Sequence, residues 1–351
     1  MSKEEKMLIL QMVADGQVTP EQGVELLQAL EPGKARGPSG QFDGVDIGGV
    51  VRQRIEEAAM RGEEVAESVA SNIGRMISQI FAGGYMGGSE FEFTEEIRGM
   101  FPEEGELQVH LSTSNGRIAV ETWDEPGYLL TITKRIRGRD EDEARQALEN
   151  CYEFRQEGLT LEARTSDQAD RGMRGLFVAF ALKVPASRKT SVNLSSANGR
   201  ITTDGVNGNS CSLSTANGRI VVTRCEFGKA RLSTANGRVE YDGRAGDLDA
   251  STANGAINAE MKGAGDWQFS SGNGRIEINV SKDANAAYEV DLCARSSGIT
   301  VEGMDDAEVV EDVVRGRHRR RYRARSRGFE SAGVKGRIRA TTGNGKLRVW
   351  F

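Results

Sequence analysis

A mainly β fold is what this 351-residue sequence predicts: a parallel β-solenoid of two-strand coils about 19 residues long, preceded by an α-helical hairpin and a long amphipathic helix. Three observations carry that prediction. The phrase Leu-Ser-Thr-Ala-Asn-Gly-Arg-Ile recurs as Leu194–Ile201, Leu213–Ile220, Leu232–Val239, Ala250–Ile257 and Phe269–Ile276, with outlying copies at Leu111–Ile118 and Ala340–Leu347. Its Asn-Gly pairs begin at Asn198, Asn217, Asn236, Asn254 and Asn273, a period of 19 with one step of 18, which marks one supersecondary unit stacked on itself. Second, each unit holds two runs of period-two alternation around Asn-Gly, as in Leu213-Ser-Thr-Ala and Arg219-Ile-Val-Val-Thr223. Such alternation argues strand, and Asn-Gly supplies residues that tolerate positive φ at a sharp turn. Third, the repeat is nearly letter for letter. An antiparallel meander of hairpins also fits strand–Asn-Gly–strand. Only parallel stacking sets identical residues above one another at about 4.8 Å, where Asn and Thr ladders exchange hydrogen bonds.

Parallel stacking also lists the inward residues: Val192, Leu194, Ile201, Cys211, Leu213, Ile220, Val222, Leu232, Val239, Tyr241, Leu248, Ile257, Trp267, Phe269, Ile276 and Ile278. The second corner of each unit is looser and glycine-rich (Gly205, Gly208, Gly228, Gly243, Gly246, Gly263, Gly265).

Ahead of the repeats the order is helical. Lys3–Ala14 and Pro20–Leu30 read as a hairpin over 1–31, with Thr19-Pro-Glu-Gln22 as a capping box. A Gly/Pro linker (32–44) leads to a long amphipathic helix over 45–82, where Val51, Ile55, Ala58, Gly62, Val65, Val69, Ile73, Met76 and Ile80 step by four and three. That is a coiled-coil-like seam, suited to a protein partner, to self-association or to covering an end of the solenoid. A Gly-rich linker (83–95) releases the β region, 96–351, whose last run, Lys346–Phe351, alternates with no polar cap and reads as an open final coil.

Net charge is −6, so no global field attracts nucleic acid. Neither a secretory h-region nor an apolar run of membrane-spanning length is found, which places the chain in the cytoplasm, soluble or membrane-associated. Cys151, Cys211, Cys225 and Cys293 show no metal spacing and read as free thiols in a reducing compartment. With His110 and His318 as the only histidines there is no triad or zinc cluster to assemble, and no phosphate-binding glycine motif is present; the sequence points to no cofactor, metal or catalytic residue. Outward carboxylates do recur (Asp204, Glu240, Asp242, Glu260, Glu277), and a stacked pair is the geometry a retaining glycosidase needs, so a polysaccharide-active enzyme is the reading from another class.

The arginines carry more. Arg117, Arg200, Arg219, Arg238 and Arg275 each follow Asn-Gly, with Lys346 in the last copy and Ala256 breaking the row. Stacked, they form either a solvated edge paired with acids such as Glu240 and Asp242, or a row that binds a repeating anion. Farther on, Arg315–Arg327 would project Arg317, Arg319, Arg321, Arg323, Arg325 and Arg327 from one strand face. The acidic stretch Glu302–Asp312 either neutralises that strip or leaves it to bind anions.

Trp123 after the first repeat, the acidic helix Asp140–Glu149, Leu159-Thr-Leu-Glu, Phe177–Pro185, the Asn-Gly repeats and Thr342-Gly-Asn-Gly-Lys-Leu-Arg-Val together resemble the bacterial "putative adhesin" β-strand-repeat family, a domain of unknown function. Glu4-Glu-Lys-Met-Leu-Ile-Leu, Gly16-Gln-Val-Thr and Glu25-Leu-Leu resemble the SHOCT-like helical hairpin that accompanies it in envelope-stress proteins of the LiaX type. The resemblance covers about 1–31 and 96–351 and implies an envelope-stress association with no catalytic residues to carry over. The expected function is a non-enzymatic scaffold of the bacterial envelope. It would hold a protein partner or a second copy through residues 1–82, and anionic glycopolymer or lipid headgroups, rather than nucleic acid, through arginine rows. A self-polymerising solenoid scaffold is the third reading.

Overall fold

The computed structural model describes residues 89–351, apart from 103, 167–174, 284, 296–297, 305 and 316–318. The expected helical hairpin, linker and long helix (1–82) lie outside the described residues. Residues 91–136 together with 145–351 form one compact unit.

That unit is mainly β. In a first ladder, β2 (Leu107–Thr113), β8 (Thr190–Ser196), β10 (Asn207–Thr215), the second half of β11 (Ile220–Thr234), the second half of β12 (Val239–Asn254) and β14 (Asp266–Asn273) pair in that order, every pair parallel. In a second ladder, β3 (Ile118–Trp123), β9 (Ile201–Asp204), the first halves of β11 and β12, β13 (Ile257–Lys262) and β15 (Ile276–Ser281) do the same. The register is that of the repeat. Leu194 lies opposite Leu213, Leu213 opposite Leu232, and Ile201 opposite Ile220, which lies opposite Val239. Stacking like on like lets a thin aliphatic core close, because each unit covers its neighbour's apolar edge. All sixteen residues assigned inward from the alternation are buried, none more than 3 % exposed.

The units do not stack in chain order. After β3 the chain runs outward through β4 (Tyr128–Gly138), α1 (Glu141–Ala147), β5 (Tyr152–Glu157), β6 (Thr160–Thr165) and β7 (Phe177–Pro185) before returning to β8. β6 and β7 flank β2 and β3 in parallel on the side away from the array, and β5 and β4 cover them antiparallel. β1 (Ser89–Gly99) pairs with β4 and begins within the stretch read as linker, its Phe91, Phe93 and Ile97 half-buried. α1 starts where Asp140 Oδ1 accepts the Glu143 N–H at 2.8 Å, an N-cap on the expected acidic helix.

The other end repeats the device. β16 (Ala286–Ala294) and β17 (Ile299–Glu302) follow β15 in sequence but do not pair with β14 and β15. The last strands, β20 (Val334–Thr342) and β21 (Leu347–Trp350), lie between them, parallel to both sides. β19 (Arg319–Ser326) then pairs antiparallel with β16, and β18 (Ala307–Arg315) with β19. The expected open final coil at Lys346–Phe351 is therefore corrected. Leu347 sits opposite both Ile276 and Ile299, and the Phe351 ring packs edge-on against Tyr288 at 5.3 Å.

The reason for Asn-Gly is corrected as well. Among the described residues only Asn150 and Arg224 have positive φ without being glycine, and the corner glycines do not have it either. What Gly218 supplies is closeness: a Cβ there would lie 1.9 Å from the Gly199 carbonyl oxygen of the neighbouring unit. Positive φ occurs instead at the looser second corner, at Gly205 (+70°) and Gly263 (+83°).

Candidate anion-binding surface

The corner that places the arginine row is held by two hydrogen-bonded ladders. In the outer one each Asn Nδ2 donates to the Oδ1 of the Asn in the neighbouring unit. The bonds run Asn198 to Asn115 (2.9 Å), Asn217 to Asn198 (2.8 Å), Asn236 to Asn217 (2.9 Å), Asn254 to Asn236 (2.9 Å), Asn273 to Asn254 (2.8 Å) and Asn344 to Asn273 (2.8 Å). All donors point the same way, so each amide polarises the next. In the inner ladder the buried hydroxyls of Thr215, Thr234 and Thr252 donate to the carbonyl oxygens of Gly199 (3.1 Å), Gly218 (3.1 Å) and Gly237 (3.0 Å). These bonds satisfy the carbonyls at the turn and fix where the following residue starts.

That residue is the arginine. Arg219 and Arg238 share one carboxylate oxygen of Glu240, at 4.0 and 3.3 Å, and Arg275 meets Glu277 at 3.2 Å. Arg117, Arg200 and Lys346 are exposed. Among the described residues no carboxylate is ion-paired with Arg117 or Arg200, which are adjacent units of the stack. Five arginines and a lysine are thus matched by two acids, and the edge carries net positive charge. Beside it runs a feature the sequence reading passed over: Ser195, Ser214, Ser233, Ser251 and Ser270 lie in register on the outward face of the first ladder. Their signal was the serine three residues before each of Asn198, Asn217, Asn236, Asn254 and Asn273.

The arginine-rich strand is β19, and its arginines have partners on both sides. Arg321 binds Asp291 through two bonds (3.0 and 2.7 Å) and lies 3.7 Å from Glu311. Arg323 binds Glu289 at 3.0 and 2.5 Å, and Arg325 reaches Glu308 and Glu330, each at 3.2 Å. On the opposite face Arg320 forms a fork with Asp312, both bonds 2.9 Å. The hydrogen bonds to Asp291 and Glu289 push the Arg321 and Arg323 guanidinium pKa values up, and the bond from Arg320 holds the Asp312 carboxyl below its ordinary value. Arg319 is exposed, whereas Arg317 lies outside the described residues. Glu308, Glu311 and Asp312 come from the acidic stretch identified in the sequence. Glu289 and Asp291 come from β16, where the alternation of Glu289-Val-Asp291 was the available signal.

Of the five outward carboxylates weighed for catalysis, four are engaged by cations. Asp204 is forked by Arg224 (2.9 and 2.6 Å), Asp242 meets Lys262 at 2.8 Å, and Glu240 and Glu277 hold the arginines above; Glu260 is exposed. Cys151, Cys211, Cys225 and Cys293 are free, and burial pushes the thiol pKa of the first three up, away from reactivity. Among the described residues no group of three or more His, Cys, Asp or Glu side chains is placed to hold a metal ion.

Among solved structures, the chain is similar to a "putative cell adhesion protein" from Clostridium sporogenes (10 % identity, 74 % of this chain and 99 % of that one, TM-score 0.33). A "putative adhesin" from Bacteroides fragilis (13 % identity, 74 % and 98 %, TM-score 0.35) and a "putative lipid binding protein" from Parabacteroides distasonis (10 % identity, 73 % and 96 %, TM-score 0.28) are similar in the same sense. No curated protein matches the chain. Residues 182–322 match the Toastrack DUF4097 family, and residues 4–35 match a SHOCT-like domain. By these matches the middle of the β region is similar to the Toastrack DUF4097 family, and a stretch near the start of the sequence is similar to a SHOCT-like domain.

Proposed function

We propose that this protein is a non-enzymatic scaffold of the bacterial envelope or its stress response, built on a parallel β-solenoid that offers an anion-binding edge. The two in-register parallel ladders support the solenoid reading, each unit being one coil. The observation that carries the function is the arginine row. Asn and Thr ladders hold cations at the coil spacing, about 4.8 Å, with fewer acids than arginines beside them. A repeating anion, an anionic glycopolymer or a surface of lipid headgroups, can meet successive guanidinium groups while the serine row supplies hydroxyls. Arg117, Arg200, Arg219, Arg238 and Arg275 make first contact. Arg317, Arg319, Arg321, Arg323 and Arg325 contribute secondarily, since acids from the same chain already accompany Arg321, Arg323 and Arg325. A protein partner, or self-association, is assigned to residues 1–82 and their coiled-coil-like seam. The chain works at the cytoplasmic side of the membrane; no helix among the described residues is long and apolar enough to cross one.

The test is co-sedimentation with anionic and neutral liposomes, and with a polyphosphate-backbone polymer, across a salt series. Wild type should bind the anionic probes at low salt and release as salt rises, while Arg117→Glu with Arg200→Glu should weaken binding about tenfold or more with an unchanged melting curve. Absence of binding to both anionic probes at low salt overturns the edge assignment.

A further inference from the structure

β20 and β21 fill a slot whose walls were already joined to each other. β14–β15 form one wall and β16–β17 the other, connected directly across residues 282–285. The walls have a specific chemistry. Outward, Asp266 and Gln268 line one side, and Glu289 and Asp291 the other. The inserted strand sets Arg337 opposite both Asp266 and Glu289, and Arg339 opposite both Gln268 and Asp291. Arg339 binds Asp266 at 2.8 and 3.3 Å, and Arg337 lies 3.7 Å from Glu289. Inward, Ile338 meets Trp267 and Val290, and Leu347 meets Ile276 and Ile299. If the walls closed on each other in this register, Asp266 would face Glu289, a like-charge pair across neighbouring strands. The slot therefore demands a strand that is basic outside and apolar inside, and an apolar strand alone does not satisfy it.

Residues 327–333 connect this segment to β19 by crossing the end of β16, from the strand on one side of it to the strand on the other. That crossing spans two strand spacings, about 10 Å, whereas seven residues extended reach roughly 23 Å. The crossing is exposed or half-exposed except for Phe329, and Gly328 takes φ +77°. Lys335 and Arg337 lie over the Phe329 ring, 5.6 and 5.8 Å from its centroid, the contacts that favour folding back within one chain.

We propose that residues 334–351 are an exchangeable arm and that its partner is a second copy of this chain, each copy's arm filling the other's acid-lined slot. Every contact inside the slot is remade across the pair, so the balance between closed monomer and exchanged dimer rests on the hinge and on concentration. Because the arm lies in the interior of both ladders, exchange takes place during folding, and the dimer persists on dilution.

Cys293 lies directly opposite Thr341, both outward, which provides the test. Chains carrying Cys293→Ser with Thr341→Cys are refolded at high concentration with wild-type chains and then oxidised. Arm exchange joins the two kinds of chain by a disulfide that neither forms alone, and light scattering shows a dimer mass that survives dilution. Thr341→Cys alone, refolded dilute, gives an intrachain disulfide and confirms that the pair can close. Phe329→Ala, which weakens the fold-back, should raise the dimer fraction severalfold. A chain that stays monomeric at every refolding concentration overturns the proposal, as does a dimer that falls apart on simple dilution. So does a persistent dimer in which only the intrachain disulfide forms.

Discussion

At the residue scale, the repeat is a hydrogen-bonding device before it is anything else. Asn217 takes part in two amide bonds of the outer ladder, donating to Asn198 and accepting from Asn236, whereas Asn115 takes part in one. Removing a side chain in mid-ladder also leaves two neighbours with an unmet amide. Asn217→Ala or Asn236→Ala should therefore destabilise by about 1–2 kcal/mol, and Asn115→Ala by about half as much. Urea unfolding of the three variants checks this, and equal values for all three would remove the ladder as the cause. Gly218→Ala is the harsher change, because its Cβ would meet the Gly199 carbonyl oxygen at 1.9 Å and the stacked units must part. A loss of about 3 kcal/mol or more, or failure to fold, is expected there. Asparagine and glycine were legible in the sequence as a fixed corner; the mechanism was not, since a dipeptide that tolerates positive φ and one that tolerates close stacking read the same.

At the element scale, charge pairs hold the covering strands to the ladders they close. In β4, Lys134 is buried with 7 % exposure, and its Nζ donates to Glu95 of β1, which also accepts the Tyr152 hydroxyl at 2.7 Å. The hydrogen bond from Lys134, then the one from Tyr152, hold the Glu95 carboxyl below its ordinary value of 4.5, outweighing its partial burial. A carboxyl depressed in the fold contributes stability that is fully present above the unfolded pKa and is lost as pH falls through the folded value. Glu95→Gln should thus lower the melting temperature at pH 7 and flatten its fall below about pH 4.5. Parallel melting-versus-pH curves for variant and wild type would show that Glu95 titrates alike in both states. The same logic governs β19. Reversing Arg321 and Arg323 to Glu would set new carboxylates against Asp291, Glu289 and Glu311, so it should destabilise by about 2–4 kcal/mol rather than leave the fold intact. Calorimetry that finds the double variant as stable as wild type would show these pairs to be solvated and idle. Half of this was legible: Glu302–Asp312 announced an acidic neighbour, but the second set, Glu289 and Asp291, belongs to a strand whose pairing no local pattern reveals.

For the molecule as a whole, the repeats disclosed the unit and the inward face but not the order of stacking. Alternation and period depend on neighbours within a unit, so they survive in the sequence; which unit lies on which is a non-local matter. Leu111–Ile118 and Ala340–Leu347 look like outliers, yet each is an interior member of the stack, with a later or earlier excursion of the chain placed beyond it. Protection against hydrogen exchange should follow that spatial order rather than sequence position. Ile338, Ala340, Leu347 and Val349 are buried between two neighbours in their ladders, so their amides should open only with global unfolding. β18 is an edge: it pairs with β19 alone, and Val309, Val310 and Val314 are 54, 47 and 64 % exposed. Its outward amides should exchange first, by orders of magnitude, although β18 precedes the protected segment by only some twenty residues. Mass spectrometry of peptides spanning 307–315 and 334–350 separates the two cases. If 334–350 exchanges as fast as β18, the last strands are not interior, and the slot that demands a basic strand does not exist in solution.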